Sequence, residues 1–235
     1  MSEAASRSSA FGSMLRAFVA VFAFVFAPSI AVEVLVRAFG DEAMRTSMPA
    51  KMGGAAFAAL VLIALARALP PGPAFAPMRP LSVVPRYAAF FVAWALFAVG
   101  CITLLHALGV AIEPQPLLVH VERNGVSNFG GVVVVLGVVL FGPLAEEIVF
   151  RGYLQEFCAS CVGERMGNLA TAGLFGLVHG ASYALPIAVL GWFLGDLRRR
   201  HGSLLAPWLA HAVHNAISVC LVLFWPDFLD WMYPR

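Results

Sequence analysis

The chain has 235 residues, of which 61% are hydrophobic and only 12% charged, with a formal net charge of +2. Soluble domains carry about 25% charged residues, and the mean hydropathy here is +0.86. So much apolar surface cannot be hidden in one soluble core, which excludes a disordered chain, a nucleic-acid binder and most secreted folds, and points to lipid as the solvent.

The expected fold is all-α, a polytopic transmembrane bundle of about seven to eight helices. Met1 to Ser13 is small and polar and reads as a frayed end. Ala17 to Val32 is apolar, is broken by Pro28, and reads as a retained first helix rather than a signal peptide. The second span runs from about Met52 to Leu69, and the third, Ala88 to Ile112, has no formal charge. Pro70 to Pro85 is proline-rich and reads as an extended linker. A fourth helix starts near Phe129 and runs into Glu146 and Glu147. Met166 to Gly195 lacks Asp, Glu, Lys and Arg, and His179-Gly180 and Pro186 divide it into two short helices, 166–179 and 184–198, that meet at a turn inside or near the membrane. The last span is Ser203 to Trp225, with Pro207 in its first turn. Three regions follow: N-terminal helices and linkers over 1–125 that could recruit substrate, a helical core over 126–226, and a short tail over 227–235.

Loop charges give the expected orientation. With seven alternating crossings, ten of the Arg and Lys residues fall on the side of the N-terminus and five on the other. The positive-inside rule then makes the N-terminus cytoplasmic, in the inner membrane if the cell is bacterial. Cys101 and Cys220 lie in apolar runs and read as packing residues. Cys158 and Cys161 form a C-x-x-C read as a short loop, without the second pair or the βαβ context that a zinc or redox site needs. His120 and His201 are read in loops, His106 as structural, and Asp196 before three arginines as a helix end at the surface.

Ionisable residues at membrane depth are costly and mark candidate sites. Glu146 and Glu147 are followed by Arg151, and Glu147 and Arg151 are four apart, so on a helix they share a face and can pair. Glu146 then points about 100° away and is free for acid–base work. The plainer alternative is a salt bridge at an interfacial helix end. His179 ends an uncharged helix, where a hydrogen-bonded helix-end histidine is the ordinary reading. His211 and Asn215 share a face in H-A-V-H-N, with His214 beside it, and polar contacts between helices are the alternative there. Together the groups suggest hydrolysis, with water held by Glu146 and His179 and an oxyanion met by His211 and Asn215. No G-x-S-x-G, H-E-x-x-H or glycine-rich phosphate loop occurs.

Glu146-Glu147…Arg151, Phe175…His179 and His211…Asn215, in this order on three helices, resemble the CPBP family of CAAX proteases and bacteriocin-processing enzymes. The resemblance covers about residues 125 to 226. It implies an all-helical intramembrane endopeptidase acting on a membrane-associated protein or peptide. It also implies Glu146 and His179 as water activators, His211 and Asn215 as the oxyanion site, Glu147 and Arg151 as support, and Phe175 packed beneath. His214 lies outside the pattern. Glu146, His179 and His211 could instead ligate zinc, but Asn215 is a poor zinc ligand and a good oxyanion donor, so a metal-free reading with no cofactor is favoured. A non-catalytic immunity or scaffold protein of the same fold is the competing expectation.

Overall fold

The computed structural model describes residues 3–69, 72–79 and 82–233, almost all of them helical and none in a strand. Helix α1 spans Glu3–Phe39, α2 Met48–Ala68, α3 Val84–Ala107 and α4 Pro116–Asn124. The long α5 spans Phe129–Val162. It is followed by α6, Glu164–Leu177, α7, Ala184–His201, α8, Leu205–Phe224, and α9, Phe228–Met232. The all-α bundle expected from composition is the observed fold.

Among the described residues five helices are long and apolar enough to cross a membrane: α1 from Ala10, α2, α3, α5 and α8. The other two of the seven expected helices, α6 and α7, fall outside that set. The 14-residue α6 is about 21 Å long, short of a hydrocarbon core of about 30 Å. Its partner α7 ends in Arg198, Arg199, Arg200 and His201, so the two form a helical hairpin whose turn lies at residues 178–183.

Other expectations shift for local reasons. The N-terminal segment is helical from Glu3 onward rather than frayed, continuous with the apolar run behind it. Only Met1 and Ser2 of that segment lie outside the described residues. His201 is the last residue of α7 and His120 sits in α4, so neither is in a loop. Cys158 and Cys161 occupy the final turns of α5 rather than a loop, and all four cysteines are free. Cys220 is exposed on α8 rather than packed. Residues 72–79 are irregular as the prolines demand, while Pro70, Pro71, Pro80 and Leu81 lie outside the described residues. This linker is anchored, because Leu204 N–H donates to Ala74 O at 2.9 Å and Ser203 Oγ to Ala76 O at 2.6 Å.

Packing relies on small residues, as expected where lipid tails are as apolar as leucine. Ala17 and Ala20 of α1 meet Ala59 and Leu62 of α2 and Ile148 and Val149 of α5 in one buried cluster. Gly54 of α2 lies under Pro28 of α1, where a Cβ would come within 2.8 Å of the Pro28 carbonyl oxygen. A second cluster joins α3, α7 and α8 through Tyr87, Leu190, Leu194 and Ala210. A third joins α4, α5, α8 and α9 through Val121, Val134, Val222 and Phe228. Facing outward are Phe11, Phe18, Phe22, Val92, Leu96 and Leu104, the side chains of a surface that meets acyl chains.

Candidate active site

Helix α5 is not a uniform α-helix. Gly137–Phe141 and Ile148–Leu154 widen into π-helical turns on either side of Glu146 and Glu147. Such turns free backbone carbonyls and occur often at functional sites. Helix α8 satisfies two of them. Asn215 Nδ2 donates to Val138 O at 2.9 Å, and Trp208 Nε1 donates to Leu140 O at 3.0 Å. The side chains that dock α8 on α5 therefore also fix Asn215 beside the acidic pair.

Glu147 is fully buried and Arg151 nearly so, at 0% and 2% exposure. Arg151 Nη1 donates to Glu147 Oε1 at 3.0 Å, and Nη2 donates to Gly191 O of α7 at 3.2 Å. The guanidinium carbon also sits 4.1 Å from the centre of the Phe175 ring, a cation–π contact. His211 Nδ1 meets the same Glu147 Oε1 at 2.8 Å. A carboxylate oxygen only accepts, so this Nδ1 carries the proton. One buried carboxylate thus holds a cation from its own helix and a histidine from α8.

Glu146 turns the other way. Its side chain keeps 23% exposure and lines a cavity of about 710 Å³ together with Phe175, His179, His211, His214 and Asn215. Glu146 Oε2 stands 3.9 Å from His179 Nε2 and 3.8 Å from His211 Nε2. His179 Nδ1 lies 2.7 Å from Phe175 O. A carbonyl cannot donate, so Nδ1 carries the proton and the lone pair of the neutral ring is on Nε2, toward Glu146. Phe175 is 1% exposed and sets its ring edge-on to both histidines, with centroids 4.7 Å from His179 and 5.8 Å from His211.

The sequence-predicted residues therefore converge: Glu146, Phe175, His179, His211 and Asn215 on the cavity wall, and Glu147 and Arg151 behind it. Several neighbours had no legible signal. Gly191 O accepts from Arg151, and a Cβ there would lie 3.0 Å from the Phe175 ring. His214 has its own surroundings in α3, with Tyr87 Oη 3.2 Å from Nδ1 and the Trp94 ring 4.3 Å away, edge to face. His106, read as structural, is exposed on α3 outside the cavity.

Among the described residues no group of three or more His, Cys, Asp or Glu is arranged to hold a metal ion. A tetrahedral zinc with bonds of about 2.0 Å sets its ligand atoms about 3.3 Å apart. The separations of 3.8 and 3.9 Å around Glu146 Oε2 are wider than that. Two hydrogen bonds of about 2.8 Å at a tetrahedral water would set the outer atoms about 4.6 Å apart, so the observed separations lie between the two geometries.

Comparison with known proteins agrees with the sequence motifs. Residues 128–217 match the family model of the type II CAAX prenyl endopeptidase Rce1-like proteins, consistent with the CPBP family. A 27% identical relative is an uncharacterized protein of Mycoplasma capricolum subsp. capricolum. The alignment covers 150 residues, 61% of this chain and 44% of the relative, so it spans less than half of that protein's length. No solved structure matches.

Proposed function

We propose that this chain, of the CPBP type and Rce1-like over residues 128–217, is an intramembrane endopeptidase that uses Glu146 to activate water. The observation that carries the reading is the setting of Glu146 Oε2: buried, without a hydrogen-bond partner among the described residues, and facing two histidine Nε2 atoms at 3.8 and 3.9 Å. A water between these groups gives one proton to Glu146 and hydrogen-bonds His179 Nε2 through the other. Its oxygen attacks the peptide carbonyl carbon, forming a C–O bond and a tetrahedral oxyanion. Glu146 then passes its proton to the leaving nitrogen as the C–N bond breaks, and two new termini result.

The oxyanion needs donors fixed in advance. Asn215 commits one amide hydrogen to Val138 O, which orients the other. For His211 to donate from Nε2 as well as from Nδ1, the ring must carry both protons, with the Glu147 carboxylate as its counter-charge. The four groups Glu146⁻, Glu147⁻, Arg151⁺ and His211⁺ then sum to zero, which limits the cost of holding charge at membrane depth. His211 and Asn215 form the oxyanion site in this reading, Glu147 and Arg151 position His211, and Phe175 seats the histidines.

No cofactor is needed in this scheme. If zinc were bound, Glu146, His179 and His211 would hold it, and it would polarise the water instead. The substrate is a membrane-associated protein or peptide that reaches the cavity along the bilayer, with the helices of residues 1–125 forming its far wall. Arg151, one of the ten basic residues counted on the side of the N-terminus, is buried, which leaves nine there against five. We read that side as cytoplasmic. The test compares protein termini in host membranes carrying wild type or Glu146→Gln at equal expression. New termini found only with the wild type support the reading and identify the substrate. Identical termini, with an unchanged phenotype in Glu146→Gln, would favour a non-catalytic role.

A further inference from the structure

His214 is the cavity histidine that the hydrolytic scheme leaves unused. It is 6% exposed on α8 and lies on the cavity wall with Phe91, Trp94 and Ile217. Its ring is set among aromatic side chains of α3, with centroids 4.3 Å from Trp94, 5.9 Å from Phe91 and 6.3 Å from Tyr87. Nδ1 meets Tyr87 Oη at 3.2 Å. Nε2 has no hydrogen-bond partner among the described residues and is not sealed from the cavity. The neighbouring Trp94 Nε1 already donates to Pro186 O at 2.8 Å.

Hydrogen-bond accounting fixes the tautomer. No carboxylate pairs with His214 among the described residues, in contrast to His211, so its ring is neutral and carries one N–H. If Nδ1 held that hydrogen and donated it to Tyr87, the phenolic hydrogen of a 5% exposed tyrosine would be buried without an acceptor. If Tyr87 donates to Nδ1 instead, the phenol is satisfied and the ring hydrogen sits on Nε2, toward the cavity. The second arrangement leaves unused only the hydrogen that a bound molecule can meet.

From this we infer that His214 is a substrate-binding residue whose Nε2–H, held in place by Tyr87, donates to a backbone carbonyl of the substrate near the bond that is cut. The proposal rests on the peptidase reading above. His211 and His214 are three residues apart on α8, which is about 4.5 Å along its axis. Extended peptide advances about 3.3 Å per residue, so the two histidines address carbonyls about one or two residues apart. A carbonyl that enters an apolar wall needs a donor there. A helical segment keeps its carbonyls on its own amides and gains nothing from His214, whereas an extended one has them free. His214 therefore favours substrates that are unwound at the cleavage site.

The experiment separates binding from catalysis. The protein is purified as the Glu146→Gln variant, and its affinity is measured for a short lipid-anchored peptide of alanine and leucine. It is measured again for versions in which each amide in turn is replaced by a trans-alkene, which keeps the shape and removes the carbonyl. One replacement is expected to weaken binding about tenfold, as for a buried donor left without its acceptor. Adding His214→Phe should abolish that penalty, and His214→Gln, which still offers an N–H, should keep part of it. Tyr87→Phe should shrink it, because the ring is then free to carry its hydrogen on Nδ1. No binding, no position whose penalty depends on residue 214, or a His214→Phe effect equal for every peptide would overturn the assignment and leave His214 as a packing residue. A penalty unchanged in Tyr87→Phe would overturn it as well. The all-amide peptide with catalytically intact protein tests the other reading separately. Failure to cleave it, with the dependence on residue 214 intact, would count against Glu146 catalysis and not against His214.

Discussion

Replacing Arg151 by methionine is the sharpest perturbation of the buried support. The guanidinium makes two hydrogen bonds, to Glu147 Oε1 at 3.0 Å and Gly191 O at 3.2 Å, and a cation–π contact with Phe175. Its loss leaves a carboxylate that is 0% exposed with His211 as its one remaining hydrogen-bond partner among the described residues. Breaking a buried pair from one side costs about 3–5 kcal/mol, most of it the uncompensated charge. The variant Glu147→Gln/Arg151→Met removes both charges and keeps an oxygen that accepts from His211 Nδ1, so it should cost only about 1–3 kcal/mol. A double-mutant cycle, measured by equilibrium unfolding in mixed micelles, should then show at least about 2 kcal/mol of coupling. Additive effects, within about 0.5 kcal/mol, would refute the reasoning that Glu147 is held as a charge by Arg151.

Two further outcomes are expected. Gly176→Ala places a Cβ against the Ala184 carbonyl oxygen and within 2.9 Å of the Ala188 Cβ. It should force α6 and α7 apart, cost about 1–3 kcal/mol and slow cleavage through displacement of His179; unchanged unfolding and rate would contradict the packing described. Purified protein should cleave at an undiminished rate after chelation, with far less than one zinc per chain by elemental analysis. Stoichiometric zinc lost together with activity would replace the metal-free mechanism.

The acidic motif was legible because helical spacing alone puts Glu147 and Arg151 on one face and Glu146 on another. The bond from His211 to Glu147 was not, since it joins residues 64 apart in sequence and depends on how α8 docks. Nothing in G-V-V-L-F announces a π-helical turn, because the turn is stabilised from outside, by Asn215 and Trp208. The pair α6 and α7 was legible as two short helices with a turn between them, because His179-Gly180 and Pro186 interrupt an uncharged run. Helix α4 escaped notice for the opposite reason: Pro116 starts it and Gly125, at a φ of 58°, ends it after nine residues, too short to carry a membrane signal.

The central claim is that the two adjacent glutamates do different work, and one paired measurement tests it. Cleavage rate and unfolding midpoint are determined for Glu146→Gln and Glu147→Gln in the same membrane mimic. Glu146→Gln is expected to keep the wild-type midpoint and lose cleavage by more than about a thousandfold, as for removal of a general base combined with its water site. Glu147→Gln is expected to unfold markedly earlier while retaining measurable cleavage. Cleavage by Glu146→Gln within about tenfold of wild type, or a midpoint that falls as far as that of Glu147→Gln, would contradict it.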